Sequence, residues 1–290
     1  MRATCALSIV AVISICAPAA ADTATPAPPT VAAPDPRCPT ATLEAATASA
    51  KKRVAQVVAL ANTFDQLAAA PEADDACRVA LYQIYRKFYD DVQVAMEERS
   101  SMVDRRIEAR LEREIAVVGW KDNGDYIQTN SDWLLKRVGA RLPAEWREYL
   151  ALDTRDEIEG FTSDGGLVIK WSTLRGRILR WERFEARHPG FALAEKIRKN
   201  TRVLLGSLLA GMDSSPAFGA QDRVFVPEVK AQIEAYVRAS KARQGPLVRG
   251  YLALIEQHDG HFSDEARTYL ENNELTPGDD YEPRGYRQPE

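Results

Sequence analysis

The stretch WERFEARHPGFALAEKI, residues 181–197, decides the fold class because it reads as a helix, an abrupt stop and a second helix. Large apolar side chains recur at helical spacing up to the sequence His188-Pro189-Gly190. Proline ends a helix because it has no amide hydrogen and its ring clashes with the preceding turn. The stretch therefore predicts two helices joined by a short connection.

The same organisation continues along the C-terminal half of the chain. Helical apolar spacing covers the segments 172–187, 191–210, 227–242, 246–257 and 263–273, with Pro-Gly, Gly-Pro and Asp-Gly breaks among the connections. Strand signals are few, and the clearest is Asn123-Gly124, which predicts a small hairpin. We predict an all-α protein in which residues 119–275 form a bundle of repeat-like helical hairpins.

Residues 40–118 carry two longer helical patterns. In the first, over 40–70, four apolar residues recur every seven positions: Leu43, Ala50, Val57 and Phe64. The second begins near Asp75 and keeps one apolar face to Val118, well beyond the average helix of about 11–12 residues. We predict a long antiparallel helical hairpin over 40–118.

The first residues predict export. Arg2, the apolar run 6–16 and the small residues 19–21 have the three-part layout of a secretory signal peptide over residues 1–21. The run is shorter than the ~20 residues that span a bilayer, so we expect a soluble periplasmic product without a transmembrane span. Cys16 raises lipid anchoring through that cysteine, but Ile15 stands where bacterial lipoproteins have a small residue, which disfavours it.

Composition limits the partners and the ordered part of the chain. Residues 22–39 and 276–290 have almost no large apolar side chains, so we predict a disordered Pro/Ala-rich tether and a disordered tail. The net charge is −4, and basic residues are interleaved with acidic ones rather than clustered. This excludes the electrostatic footprint of a nucleic-acid-binding protein.

Cys38 and Cys77 remain after the predicted cleavage. An oxidising compartment favours a disulfide between them. However, a straight helix over 40–70 would separate its ends by about 45 Å, and a disulfide needs Cα atoms within about 7 Å. Two possibilities stay open: the first helix is broken or begins late, or the bond is absent or intermolecular.

Few residues point to catalytic or metal chemistry. His258 and His261, with Asp259 or Asp264, have the residue types of a zinc site, but Asp-Gly is ordinary turn chemistry and Ser263 suits the next helix N-cap. The loop 122–125 lacks calcium-loop spacing. No nucleophile, phosphate-binding or dinucleotide motif is present. We predict no catalytic residues, cofactor or metal.

Two groups of side chains admit a functional and a structural interpretation. Four carboxylates could pair, but on an amphipathic helix we expect them to be solvated: Asp153, Asp156, Glu157 and Glu159. Five tryptophans lie close together in sequence: Trp120, Trp133, Trp146, Trp171 and Trp181. We favour a core role for the tryptophans. The alternative is an aromatic groove over 120–181 for a glycan or peptide, or an enzyme site with Asp122, Asp125 or Glu145.

A family resemblance is carried by Phe184, His188, Pro189 and Ala194, which stand as F-x3-H-P-x4-A. This resembles the junction of helices A and B in tetratricopeptide-like repeats of bacterial outer-membrane assembly lipoproteins. The resemblance covers only the C-terminal part and implies a partner-binding scaffold. The linker 211–226 is too long for a regular 34-residue array, so we expect repeat-like hairpins rather than a long solenoid.

Together these features favour an exported helical protein-interaction or scaffold module of the bacterial cell envelope. Its partner is expected to be another envelope protein. An envelope enzyme or a glycan- or peptide-binding protein that uses the Trp-rich segment 120–181 is the alternative. A structural spacer, in which the long helix pair acts by its length, is a third possibility.

Overall fold

The computed structural model describes residues 36–51, 54–97, 116–121, 124–220, 223–239 and 242–275. Within these ranges the chain is mostly helical, and its strands form small two-stranded antiparallel sheets. The prediction of an all-α class is confirmed. The predicted signal peptide over 1–21, the tail from 276 and the loop residues Asp122 and Asn123 lie outside the described residues.

Three helices form the N-terminal part: α1 (Thr40–Ser49), α2 (Val54–Ala68) and α3 (Asp75–Glu97). Both α1 and α2 pack against α3. The prediction of one continuous helix over 40–70 is wrong, because Ala50 has extended backbone angles (φ −74°, ψ 136°). The Ser49 hydroxyl donates to the Ala45 carbonyl (2.9 Å) in the last turn of α1.

The break between α1 and α2 accompanies an intrachain disulfide between Cys38 and Cys77. Their Cα atoms are 5.5 Å apart. Cys38 lies just before α1, and Cys77 lies in the first turn of α3, where its amide donates to Asp74 Oδ1 (2.7 Å). Because α1 is a short separate helix packed on α3, its start reaches the start of α3. A straight helix over 40–70 would prevent this.

The predicted helical hairpin over 40–118 also differs from the structure at its end. Residues 98–115 lie outside the described residues, and 116–118 belong to strand β1 (Ala116–Lys121), not to a helix. Strand β2 (Gly124–Thr129) pairs with β1 antiparallel, with Lys121 opposite Gly124. The β-branched pair Val117-Val118 suits a pleated strand. The hairpin predicted from Asn123-Gly124 is confirmed.

Two helices and a 3-10 turn follow: α4 (Ser131–Arg137), the turn Gly139–Arg141 and α5 (Ala144–Glu159). Asn130 caps α4 by accepting the Trp133 amide hydrogen (3.1 Å). Tyr89 of α3 stacks on Trp133, with ring centroids 6.0 Å apart, and its hydroxyl accepts the Asn130 amide hydrogen (3.2 Å). These contacts attach the central helices to the N-terminal three.

The remaining helices are α6 (Trp171–Arg187), α7 (Ala194–Ala210), α8 (Pro227–Arg238), α9 (Gly245–Gln257) and α10 (Asp264–Asn272). They correspond to the five predicted C-terminal segments. Helix α6 packs against α5, α7 and α8, while α9 packs against α8 and α10. Phe184, Leu204 and Ile233 are fully buried between them. Helix α6 is therefore central in this half.

Two short β-hairpins connect neighbouring helices, and together we call them the turn pair. The first consists of β3 (Thr162–Ser163) and β4 (Gly166–Leu167), and the second of β5 (Gly211–Met212) and β6 (Ser215–Pro216). The Ser214 amide donates to the Gly165 carbonyl (3.0 Å), and the Leu167 amide donates to Ser215 Oγ (3.0 Å). The α5–α6 and α7–α8 connections are thereby fastened together.

Candidate functional site

A surface cleft lies where α6 ends and α7 begins, beside the segment that precedes α9. We call it the junction cleft, and it encloses about 320 Å³. It is lined by Glu182, Glu185, Ala186, His188, Pro189, Ala194, Arg198 and Arg243. Most of these residues belong to the helix–break–helix stretch from which the fold class was predicted.

The break that shapes the cleft follows from its local sequence. The residue before a proline is pushed away from helical angles, and His188 has φ −126° and ψ 63°. The Phe191 amide then donates to the His188 carbonyl (3.0 Å), and Phe191 is buried against Phe184, with ring centroids 5.0 Å apart. The chain therefore reverses direction around the buried ring of Phe191, and α7 begins at Ala194.

His188 forms one edge of this break. Its ring packs on Phe184, with centroids 4.7 Å apart, and its Nε2 lies 3.0 Å from Oε2 of Glu148 on α5. Its Nδ1 lies 3.9 Å from Oε2 of Glu145. The imidazole thus links the end of α6 to α5, so Glu145, a candidate acid in the alternative function, is a neighbour of His188.

Glu182 is the most buried charged group in the cleft, with 3% of its surface exposed. Its Oε1 accepts hydrogen bonds from the Tyr236 hydroxyl (2.6 Å) and the Gln244 amide (3.2 Å). Its Oε2 is buried without a hydrogen-bond partner. Burial raises the pKa of Glu182, and the bond from Tyr236 partly opposes this. The side chain is an incompletely satisfied acceptor.

Glu185, one turn further along α6, is buried but ion-paired. Its Oε1 lies 3.2 Å from Nη1 of Arg243 and 3.9 Å from Nη1 of Arg198. Burial raises the pKa of Glu185, while the two arginines act in the opposite direction. Both arginine side chains are more than one third exposed. The cleft therefore has a carboxylate floor and a basic rim.

A second group of buried charges lies between α5 and α6. Arg177 is fully buried, with its Nε 3.2 Å from Asp156 Oδ1, and Arg180 Nη2 lies 2.9 Å from the same oxygen and 2.7 Å from Glu159 Oε2. The Trp181 indole donates to Asp156 Oδ2 (2.6 Å). The prediction that Asp156 is solvated is wrong, because arginines on the facing helix neutralise it. This cluster holds two helices together.

The tryptophans are divided between core and periphery. Trp146 and Trp181 are buried in the core, and Trp146 packs on Phe191, with ring centroids 4.9 Å apart. Trp133 and Trp171 are partly buried against the core. Trp120 lies in β1 opposite Asp125, and the side chains of both lie outside the described residues. The structure does not bring Trp146 and Trp181 to a surface groove.

A shallower depression of about 280 Å³ surrounds Trp133. It is lined by Asn130, Asp132, Trp133, Lys136 and Arg137. Asn130 caps α4, Lys136 pairs with Asp132 (2.5 Å) and Arg137 pairs with Asp65 (3.1 Å). Because these polar groups already have partners, this depression is a weaker candidate site than the junction cleft.

The candidate zinc ligands lie in a turn. Asp259 has positive φ (53°), and His261 Nδ1 lies 3.0 Å from the His258 carbonyl oxygen. Ser263 caps α10 by accepting the Ala266 amide hydrogen (3.1 Å), so the predicted N-cap is confirmed. In the part of the chain that the structure describes, no three His, Cys, Asp or Glu side chains come together as a metal site would require.

Comparisons with known proteins give no family assignment. No family model matches the chain, and the comparisons found no match to it among curated proteins or solved structures. Among the described helices, none combines the length and the apolar character that crossing a membrane requires. Function must therefore be inferred from the residues themselves.

Sequence reasoning singled out His188 and Pro189 but missed Glu182 and Glu185, which lie in the same quoted stretch. Their burial depends on Tyr236 and on the segment around Arg243, more than fifty positions away in sequence. A local signal exists, since the two glutamates are three residues apart and flank Phe184 on the core-facing side of α6. That spacing alone does not distinguish a buried face from a solvated one.

Proposed function

We propose that this chain is an exported protein-interaction module of the bacterial cell envelope that binds another envelope protein through its C-terminal, repeat-like helical hairpins. It has no catalytic role in this proposal. The observation that carries it is the junction cleft. At the helix break around Pro189 the chain leaves an open, charged concavity, whereas its most hydrophobic aromatic side chains pack inward.

Export is supported by two independent features. The signal-peptide layout of residues 1–21 is the feature that would target the chain for export. The Cys38–Cys77 disulfide is a bond that persists in oxidising compartments and is rare in the cytosol. We expect the mature protein to begin at Asp22, which mass spectrometry of its N-terminal peptide from a periplasmic fraction tests directly.

Site-specific photo-crosslinking tests whether a partner binds at the junction cleft. A photo-crosslinking amino acid replaces Ala186, an exposed residue that lines the cleft, in a C-terminally tagged chain expressed in its native envelope. Glu228, exposed in the first turn of α8 and not part of the cleft, is the matched control position.

We expect one reproducible crosslinked protein from Ala186 that is absent from Glu228, identified by mass spectrometry. The same product from both positions would indicate nonspecific capture. A chain that remains solitary at Ala186 would contradict the proposed function, and the alternative function over 120–181 would then be tested by a glycan and peptide screen.

A further inference from the structure

We propose that the junction cleft receives a lysine or arginine side chain of the partner protein, with the ammonium or guanidinium group bonded to Oε2 of Glu182. This inference rests on the proposed function, because it names the chemical group by which the partner is held. Three features of the cleft support it: the charge distribution of its floor, the guanidinium groups at its rim and its apolar walls.

The two carboxylates of the floor are unequally neutralised: among the described side chains, Glu182 has no cation within ion-pair distance, and the charge of Arg243 acts on it only from further away. Buried carboxylates in proteins are normally paired and hydrogen-bonded. Within the described residues, the ion pairs of the cleft go to Glu185, and none goes to Glu182. Oε2 of Glu182 also lacks a hydrogen-bond donor. A cation from a partner would supply both the missing charge and the missing N–H donor.

The rim already holds guanidinium groups of the chain itself. Arg243 and Arg198 approach Glu185 to 3.2 and 3.9 Å, and 54% and 39% of their side chains are exposed. Glu185 itself is buried, so Arg243 can move toward solvent only if the incoming cation takes its place as the positive charge beside Glu185. The cleft therefore already holds guanidinium groups beside a buried carboxylate, which is the arrangement that a partner's basic side chain would adopt at Glu182.

The walls suit the stem of a long basic side chain. Ala186, Pro189 and Ala194 line the cleft beside the carboxylates. Lysine and arginine bury their methylene stems along apolar surface while their charged heads reach polar partners. A short amine has no stem to pack there, so the cleft selects a basic side chain on an extended stem.

The test uses capped tripeptides, acetyl-Gly-X-Gly-amide, with X as lysine, arginine, norleucine or Nε-acetyllysine. Binding to the full mature chain is followed by the 15N–1H resonance of the Gln244 amide, which donates to Glu182. We expect saturable shifts with lysine and arginine, with a Kd of about 1 mM. Norleucine and acetyllysine, which match the stem but lack the charge, are expected to leave the resonance in place.

Three variants, one of them a control, locate the binding. Glu182→Gln removes the charge but keeps an oxygen for Tyr236 and Gln244, and we expect at least a tenfold loss of affinity. Glu228→Gln removes the same charge from an exposed position and is expected to change nothing. Because Glu182→Gln could alter the fold, Ala186→Trp is included; it fills the mouth of the cleft from an exposed helix position, and it is also expected to abolish binding.

The outcomes separate this inference from the proposed function. Equal shifts with norleucine, unchanged affinity in Glu182→Gln, or no shift with any peptide would overturn the cation site, even if Ala186 still crosslinks a partner. Lys241 lies outside the described residues, so Lys241→Met is measured too. Unchanged or tighter peptide binding is expected there, and loss of binding would assign the recognition to Lys241 and overturn the assignment to Glu182.

Discussion

Removing the Cys38–Cys77 disulfide is expected to lower the free energy of unfolding by about 4 kcal/mol. The bond joins residues 39 positions apart. In the chain-entropy treatment, opening a loop of this length returns to the unfolded chain a conformational entropy equivalent to about 4 kcal/mol at 25 °C. Both cysteines are buried, and alanine is apolar, so the double substitution adds no unsatisfied polar group to the folded state.

The assay is urea-induced unfolding of the wild type and the double variant Cys38→Ala/Cys77→Ala, with free energies from linear extrapolation. Tryptophan fluorescence is a suitable probe, because Trp133 stacks on Tyr89 of α3 and reports on the N-terminal helices. A thiol reductant provides the internal control. It should bring the wild type to the stability of the double variant and leave the double variant unchanged.

The reasoning is refuted if the two proteins unfold at the same urea concentration with the same slope. Such a result would mean that the unfolded chain gains no freedom when the loop opens, or that the cysteines are not bonded in the native protein. Mass spectrometry after alkylation of free thiols separates these explanations, because a bonded pair leaves Cys38 and Cys77 unmodified.

Four further substitutions test the packing and the buried charges by the same unfolding measurement. Gly211→Ala should lower the free energy of unfolding by about 3 kcal/mol or more, because φ is 80° and a Cβ would lie 2.2 Å from the Ala217 nitrogen. Gly176→Ala should raise it by about 0.5–1 kcal/mol, because Gly176 lies within a helix that has room for the methyl group. Arg177→Met should lower the free energy of unfolding by about 3 kcal/mol, the low end for a broken buried ion pair, because it removes one of two arginines beside Asp156 while Arg180 stays 2.9 Å away. A loss below about 1 kcal/mol would contradict that role. Burial raises the pKa of Glu182 above its usual 4.5, so the wild type should lose stability relative to Glu182→Gln as the pH rises from below 4.5 to neutral; a difference independent of pH would contradict this.

The C-terminal helices could be predicted from sequence because their limits are set locally. Pro189, Pro227 and Pro246 fix breaks or starts through their own backbone restrictions, and apolar spacing between the breaks is unambiguous. The repeat-like arrangement of these helices stays a prediction. The hairpin of β1 and β2 was predictable because Asn-Gly between two short segments is a local turn signal in the sequence.

A broken first helix was one of two possibilities left open by the cysteines, but the position of the break could not be predicted, because Ala46, Ala50 and the residues between them are compatible with a continuing helix. The heptad spacing that indicated one long helix is continued across the break by Val57 and Phe64, which are buried on α2. The start of α1 is bonded to α3 through Cys38, and this tertiary contact is incompatible with one straight helix over 40–70. Local sequence spacing cannot reveal such a contact between distant residues.

The candidate site was less predictable than the fold. Glu182 and Asp156 each look like members of a solvated helix face, and both are buried because another helix supplies donors. For Asp156 the donors lie on α6, which packs directly against α5. For Glu182 they come from Tyr236 and Gln244, which follow α6 by more than fifty residues. Such partners are known only once the chain is folded.

The turn pair has a consequence for how this half of the protein opens. The amide hydrogens of Leu167 and Ser214 are each held by an acceptor on the opposite hairpin. Neither amide can exchange with deuterated solvent while the hairpins stay in contact, so the two should exchange at a common rate set by one separation event. The exchange rates of these two amides, forty-seven positions apart in sequence, would then give the free energy needed to separate the α5–α6 connection from the α7–α8 connection.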